Sequence, residues 1–355
     1  MFFYFILLIC FYLGSRFSSC WFAAPSVRGT RVRLRAAPCS LLYFCAGSKP
    51  GLRRLRKEGH PPSLNEIFIS AFAALRSTKK QDLRKDRLRK YCAGGNQSLD
   101  DLKDTDLKNF IVDDKHGIIY CYIPKVACTN WKRTLIALNY SEPYPDPMSF
   151  EHNWVHDFER FKLLKDFPKA ERKAKLEHYT KFLFVRDPFV RLISAYRDKM
   201  LNYNQYFYEG YVRVILQRYK KQTNLPYKHK VAKEKGLQPS FYEFIQYILD
   251  PRTETKEPFE PHWRQMYRLC HPCLIEYDFV GHQESLQEDA QELLKMLKLE
   301  NDIKFPPSYE NMTSGKSVMD WFQSVPLEDR RMLYRIYEED FLLFGFRRPT
   351  ELLDD

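Results

Sequence analysis

The chain has no G-x-x-x-x-G-K-[ST] phosphate loop anywhere in its 355 residues, which argues against a P-loop nucleotide kinase. It has no zinc-finger spacing, no aromatic RNA-binding signature and no internal repeat. Excess charge of one sign is nearly missing from its larger part. The net charge is +12, yet residues 1–60 hold ten Lys/Arg against one acid, which leaves 47 basic and 44 acidic residues in the remainder. The basicity therefore belongs to an N-terminal tail, and nucleic-acid binding is disfavoured. One long apolar run stands out, FFYFILLICFYL at residues 2–13, short of the about 20 residues a bilayer needs. Extended to residue 24 it reaches that length by including Arg16, as a signal peptide or signal anchor. No Lys or Arg precedes the run and Arg16, Arg28, Arg31, Arg33 and Arg35 follow it, which by charge alone puts the C-terminal side in the cytosol. Three sequons, at Asn96, Asn139 and Asn311, point instead to the secretory lumen.

What is present is apolar and aromatic. Twenty-seven Phe and 23 Tyr raise aromatic content to 15%, enough for a sizeable core. Residues 117–139, GIIYCYIPKVACTNWKRTLIALN, read as a buried strand, a short loop and an amphipathic helix. Pro124 ends the strand, Thr129 or Asn130 can cap the helix, and Trp131, Leu135 and Leu138 recur at helical spacing. Such a turn gathers backbone N–H groups and the positive end of a helix dipole, and Lys125 adds a full charge. The loop contains no glycine, so a plain strand–helix turn with a surface lysine is the competing reading. A second buried strand, KFLFV at residues 181–185, runs directly into RDPFVRLISAYRDK. Pro188 suits a first helical turn, and Arg186, Arg191 and Ser194 can line the helix start, with arginine offering a bidentate fork. An Arg186–Asp187 capping pair is the plain alternative. Two such elements in one chain fit a ligand with two separated phosphate-like groups.

Further along, residues 64–92 read as a basic helix, residues 100–110 as a short acidic helix and residues 162–179 as one charged helix. Residues 206–221 and 240–249 follow as helices, 277–280 as a third strand, and 284–299 and 327–344 as amphipathic helices. Strands alternating with helices predict an α/β layer structure around a mainly parallel sheet. Residues 222–239 form a basic polar loop, and the basic stretch Lys220 to Lys235 is either a solvated face or a track for an acidic polymer. Nine cysteines are scattered, and only Cys270 and Cys273 are spaced C-x-x-C. A thioredoxin-like redox pair is one reading of them, although the expected βαβ context is missing.

The stretches IPKVACTNWKR and FLFVRDPFVRLISAYRDK resemble the two donor-binding motifs of the Golgi carbohydrate sulfotransferases, above all the chondroitin 4-O-sulfotransferases. DDKHGIIYCYIPK, SFYEFIQYILDP, EPFEPHWRQMYRLCHPC, YDFVGHQESL and YEEDFLLFGF extend the resemblance over roughly residues 80–350. It implies a P-loop-like sulfotransferase fold and a donor, 3′-phosphoadenylyl sulfate, with no metal required. It implies that Pro124, Lys125, Val126, Ala127, Cys128, Thr129 and Asn130 hold the 5′-phosphosulfate. Arg186, Asp187, Pro188, Phe189, Val190, Arg191, Leu192, Ile193 and Ser194 would form the 3′-phosphate segment. Lys125 would neutralise the bridging oxygen as the S–O bond breaks. A histidine suits the role of base; His156, which follows the first motif closely, is favoured over His262, and each is equally readable as a structural histidine. The residues around both depart from the family pattern, which bears on the acceptor. Cys270 and Cys273 would be structural and disulfide-bonded, and Cys128 a small packing residue.

The resulting expectation is a Golgi-membrane protein of single-pass type II topology. Residues 1–24 form the anchor, 25–79 a basic stem and 80–355 a lumenal catalytic domain. It would sulfate position 4 of N-acetylgalactosamine in chondroitin, an acidic glycosaminoglycan. Dermatan or terminal N-acetylgalactosamine of N-glycans are the alternative acceptors. A non-catalytic glycosaminoglycan-binding protein is the alternative class, and it has no need of two nucleotide-anchoring loops.

Overall fold

Helix and sheet assignments come from a computed structural model that describes residues 64–94, 98–308 and 315–354, with two short antiparallel strand segments, Leu7–Cys10 and Cys20–Ala23. The remainder of the apolar start, the linker at 25–63, and the sequons at Asn96 and Asn311 lie outside the described residues. Among the described residues no helix is long and apolar enough to cross a membrane.

Five strands form the sheet: β1 (Phe110–Asp113), β2 (Ile118–Cys121), β3 (Lys162–Leu163), β4 (Thr180–Val185) and β5 (Phe279–His282), in the order β3-β1-β2-β4-β5. β2, β4 and β5 pair in parallel, while β1 pairs antiparallel with both β2 and β3. Four of the five strands therefore run one way, and β1 alone opposes them. Every residue of β2 is buried, as are five of the six in β4, as expected of strands covered on both faces. The hairpin between β1 and β2 turns on Asp113, whose Oδ1 accepts from the Lys115 and His116 amides at 3.0 and 3.3 Å. It closes at Gly117 with φ 62°, a conformation glycine adopts without a Cβ penalty.

Helices flank this sheet. They include α1 (Leu64–Cys92), α2 (Cys128–Leu138), α3 (Lys169–His178), α4 (Pro188–Tyr196), α5 (Phe241–Leu249), α6 (Leu286–Met296) and α7 (Leu327–Phe344). α2 buries Trp131, Leu135 and Leu138 as their spacing predicts, and Trp131 packs on Phe182, Phe184 and Phe305 with ring centroids 4.6–5.1 Å apart. α5 starts at a capping box in which Ser240 and Glu243 satisfy each other's backbone amides. α7 ends at Gly345 in the left-handed region. The edge strand β5 is covered by α1, whose Gln81 amide group accepts from the Val280 N–H and donates to its carbonyl. Asp289 of α6 is fully buried and binds Lys80 at 2.6 Å and Arg84 at 2.7 Å, which fixes the same helix.

Several expectations are corrected. Residues 162–179 are not one helix, because Pro168 holds Phe167 extended, and the helix starts only at Lys169. The freed residues 162–163 become the edge strand β3. The acidic helix expected at 100–110 is a single 3-10 turn, Leu99–Asp101, after which the chain runs into β1, a strand not anticipated. The third strand lies two residues later than expected, and residues 206–221 are helical but broken by a π-helical turn, Tyr208–Val212. The C-x-x-C residues are disulfide-bonded, but not to each other: Cys270 joins Cys121 of β2, and Cys273 joins Cys92 at the end of α1. The redox-pair reading therefore fails. Closing loops of 149 and 181 residues restricts the unfolded chain by roughly 5 kcal/mol each on a chain-entropy model.

Trp131→Ala removes a ring that joins α2 to β2 and β4, and it should lower stability by about 3–5 kcal/mol, read from the urea midpoint. A loss under about 1 kcal/mol would show that α2 is held by something else.

Candidate active site

The loop between β2 and α2 folds without glycine, and it does so under strain. Lys125 and Ala127 both sit at positive φ, 70° and 48°, a region that costs a non-glycine residue roughly 1–2 kcal/mol. Such a conformation persists only where neighbours over-determine it. Here Val126 is fully buried between the two, Arg186 Nη1 donates to the Lys125 carbonyl at 3.1 Å, and Arg191 Nε donates to the Pro124 carbonyl at 3.0 Å. The expected cap at Thr129 or Asn130 is not made. Ala127 is the N-cap and offers no side chain, and Thr129 and Asn130 lie inside the first turn. That turn keeps amide groups available to a ligand. Asn130 turns its Nδ2 to the carbonyls of Pro306 and Pro307, while its buried Oδ1 has no partner among the described residues.

The second loop follows β4. Asp187 caps α4 by accepting from the Phe189 and Val190 amides at 2.9 and 3.0 Å, and Pro188 opens the helix. Arg186 is 7% exposed, and its one bond to a described residue is that to the Lys125 carbonyl. Burial pulls its pKa down, so an anion at its remaining N–H groups would relieve an incompletely compensated charge.

Both loops open on one cavity of about 750 Å³, within the range of ligand sites. Of the residues expected at the site, Lys125, Ala127, Cys128, Thr129, Asn130, His156, Arg186 and Ser194 line it. Pro124, Val126, Pro188, Leu192 and Ile193 do not, and Val126, Leu192 and Ile193 are fully buried core. Asp187, Phe189 and Val190 border a smaller neighbouring cavity that shares Arg186. Arg191 is turned wholly inward, and beyond Pro124 it donates to the carbonyls of Pro261 and Arg264 at 2.7 and 2.6 Å. It braces the site and does not line it.

Sequence reasoning left out Arg197, Asp198 and Lys199, which form a π-helical turn (Arg197–Leu201) straight after α4 and also line the cavity. The signal was available, since RDK continues the second motif without a break. Asp198 Oδ2 bridges Lys125 Nζ at 2.8 Å and Lys199 Nζ at 3.2 Å. With Lys125, Arg186, Arg197 and Lys199 against the single carboxylate of Asp198, the cavity is built for anions. The two histidines considered as bases both face it. His156 Nε2 lies 3.0 Å from Thr129 Oγ1, and His262 Nδ1 lies 2.9 Å from both oxygens of Glu260. Cys128, unpaired and half-buried, sits at the first residue of α2.

This arrangement can hold a ligand with two separated anionic groups, with Lys125, His156 and His262 facing the same cavity. Comparison with known proteins agrees with that chemistry: the profile described as the sulfotransferase family matches residues 108–347. The chain belongs to the sulfotransferase family. It is 47% identical to carbohydrate sulfotransferase 12 of Mus musculus over 78% of this chain and 71% of that one. It is 36% identical to carbohydrate sulfotransferase 11 of Rattus norvegicus over 88% and 91%, and 33% identical to carbohydrate sulfotransferase 9 of Homo sapiens over 82% and 65%. No solved structure matches. The matched span includes both loops, all five strands and the three cavity histidines, His152, His156 and His262, so this sulfotransferase carries its whole candidate site inside the family region.

Burial, and then the charges of Lys132, His152, Lys199 and His262, lower the pKa of His156 to about 3. An unfolded histidine titrates near 6.5, so between those values the folded chain binds fewer protons. The stability His156 contributes is present above pH 6.5 and is lost as pH falls toward 3. His156→Gln should therefore flatten the fall in urea midpoint between pH 7 and pH 5. An unchanged fall would contradict the depressed pKa.

Proposed function

We propose that this chain transfers a sulfuryl group from 3′-phosphoadenylyl sulfate to position 4 of N-acetylgalactosamine in chondroitin. It acts in the Golgi lumen, anchored by residues 1–24 as a single-pass type II membrane protein. The observation that carries the donor is the convergence of two strand–loop–helix turns on one cavity, with Lys125 on the first and Arg186 on the second. A nucleotide bearing phosphates at 3′ and 5′ matches two such anchors, and a singly phosphorylated one leaves Arg186 unpaired.

The 5′-phosphosulfate lies against the first turn of α2, with Thr129 and the loop amides on the phosphate. Lys125 moves from Asp198 to the bridging oxygen, and Lys199 keeps Asp198 partnered. As the acceptor oxygen bonds to sulfur, the S–O bond to phosphate breaks and its electron pair goes to the phosphate oxygen beside Lys125. Catalysis of this kind is positioning and charge stabilisation. Arg186 and Ser194 hold the 3′-phosphate.

The acceptor is supported by the motif resemblance and by a charged path. Asn202 and Asn204 line the cavity. Their neighbours Tyr203 and Gln205 hold the next segment: Tyr203 donates to the Leu237 carbonyl at 2.7 Å and Gln205 to the Tyr227 carbonyl at 3.0 Å. That segment exposes Lys220, Lys221, Lys228, Lys230, Lys233 and Lys235, a surface suited to a polyanion leading to the cavity.

Full-length protein given labelled donor and desulfated chondroitin should label the polymer, and digestion should place the label on the 4-sulfated disaccharide. Label at another position, or none, would contradict the reading. Lys125→Ala should cut turnover roughly 10²–10³-fold, the scale of a lost transition-state donor; undiminished turnover would remove Lys125 from the reaction.

A further inference from the structure

Three histidines line the cavity, His152, His156 and His262, and the structure gives the last two different work. Resting on the sulfuryl-transfer reading above, we infer that His262, oriented by Glu260, accepts the proton of the acceptor hydroxyl, while His156 positions Thr129 of the donor loop.

The stretch Glu260-Pro261-His262 is a tight turn in which Glu260 serves its neighbour twice. Its carboxylate accepts from the His262 amide at 2.7 Å and from ring Nδ1 at 2.9 Å. A carboxylate on Nδ1 fixes the tautomer with the proton there, and Nε2 is left as a lone-pair acceptor. Nε2 has no hydrogen-bond partner among the described residues, and the His262 ring borders the cavity with Phe207 edge-on at 5.4 Å. Glu260 is itself buried, at 8% exposure.

His156 has the opposite situation. Its Nε2 is engaged by the Thr129 hydroxyl at 3.0 Å, and among the described residues no carboxylate is paired with its ring. With the proton on Nε2 it donates to Thr129 Oγ1 and leaves the threonine proton for the 5′-phosphate. Accepting a proton would make either ring an imidazolium. At His156 that charge meets Lys132, Lys199 and His152, and at His262 it meets Glu260 as well as Lys125 and Lys199. Only one of the two has a counter-charge in contact.

The turn is also tied to the donor loop by one side chain. Arg191 donates to the carbonyl of Pro261 in the turn and to the carbonyl of Pro124 in the loop. The proton acceptor and the reacting sulfur thus take their places from the same guanidinium, the kind of fixed geometry that makes a bound reaction effectively unimolecular. In the step itself, the hydroxyl proton passes to His262 Nε2, the acceptor oxygen bonds to sulfur, and the sulfur–oxygen bond to the 5′-phosphate breaks with its electron pair. The imidazolium, paired with Glu260, later loses the proton to water.

The test measures kcat, KM for donor and acceptor, and the pH profile of full-length His262→Gln, His262→Asn, Glu260→Gln, Glu260→Asp and His156→Gln. Binding of adenosine 3′,5′-bisphosphate checks that each variant is folded. Both His262 variants should lose roughly 10²–10⁴-fold in kcat, keep donor KM and nucleotide binding, and lose the acidic limb of the profile. Glu260→Gln should lower kcat and move that limb to lower pH, because the charge that favours the imidazolium is gone. Glu260→Asp should restore part of both. His156→Gln should raise donor KM more than it lowers kcat. Transfer by the wild-type chain with undiminished kcat in His262→Gln overturns this assignment alone, as does loss of kcat in His156→Gln at unchanged donor KM. Absence of transfer by the wild-type chain overturns the proposed function and this assignment with it.

Discussion

A single buried guanidinium holds the site together. Arg191 is 1% exposed and donates to the carbonyls of Pro124, Pro261 and Arg264, which lie on the donor loop and on the turn that carries His262. Burying such a charge is costly unless its donors are satisfied. Here three carbonyls do that, with the buried Asp340 of α7 as the nearby opposite charge. Asp340 in turn accepts from the amides of Met266 and Tyr267, which open the short helix that follows the turn.

The donor loop shows what a phosphate loop requires when glycine is missing. Glycine adopts left-handed backbone freely; Lys125 and Ala127 adopt it here because Val126 is buried beneath them and two arginines hold the carbonyls. Strain in the resting loop is thus held by the same residues that organise the ligand site. Arg186 belongs to both functions, since it braces the Lys125 carbonyl and lines the cavity.

The parts of this architecture that were legible in the sequence are those set by local chemistry. The apolar runs of β2 and β4 are short and rich in β-branched and aromatic residues, as strands covered on both faces are; Pro124 follows the first, and Asp187-Pro188 marks the helix start after the second. α7 ended where Gly345 requires it. What could not be read depends on partners distant in sequence. β1 and β3 are four and two residues long and exist because an edge was available to pair with. Cys270 and Cys273 looked like a pair because their true partners lie 149 and 181 residues away. Arg191 looked like a phosphate ligand, and only the folded chain shows the three carbonyls that occupy it. The Glu260–His262 spacing was visible, yet nothing in it distinguished an oriented base from an ordinary surface turn until Glu260 proved buried and His262 proved to line the cavity.

The central claim is that this cavity anchors one nucleotide at two phosphates. Calorimetry of the full chain with adenosine 3′,5′-bisphosphate and with adenosine 5′-monophosphate, at one fixed salt concentration, tests it most directly. Charged hydrogen bonds contribute about 1.5–3 kcal/mol, so the bisphosphate should bind roughly 10- to 100-fold more tightly, and Arg186→Ala should erase the difference. Equal affinity for the two nucleotides would contradict the account.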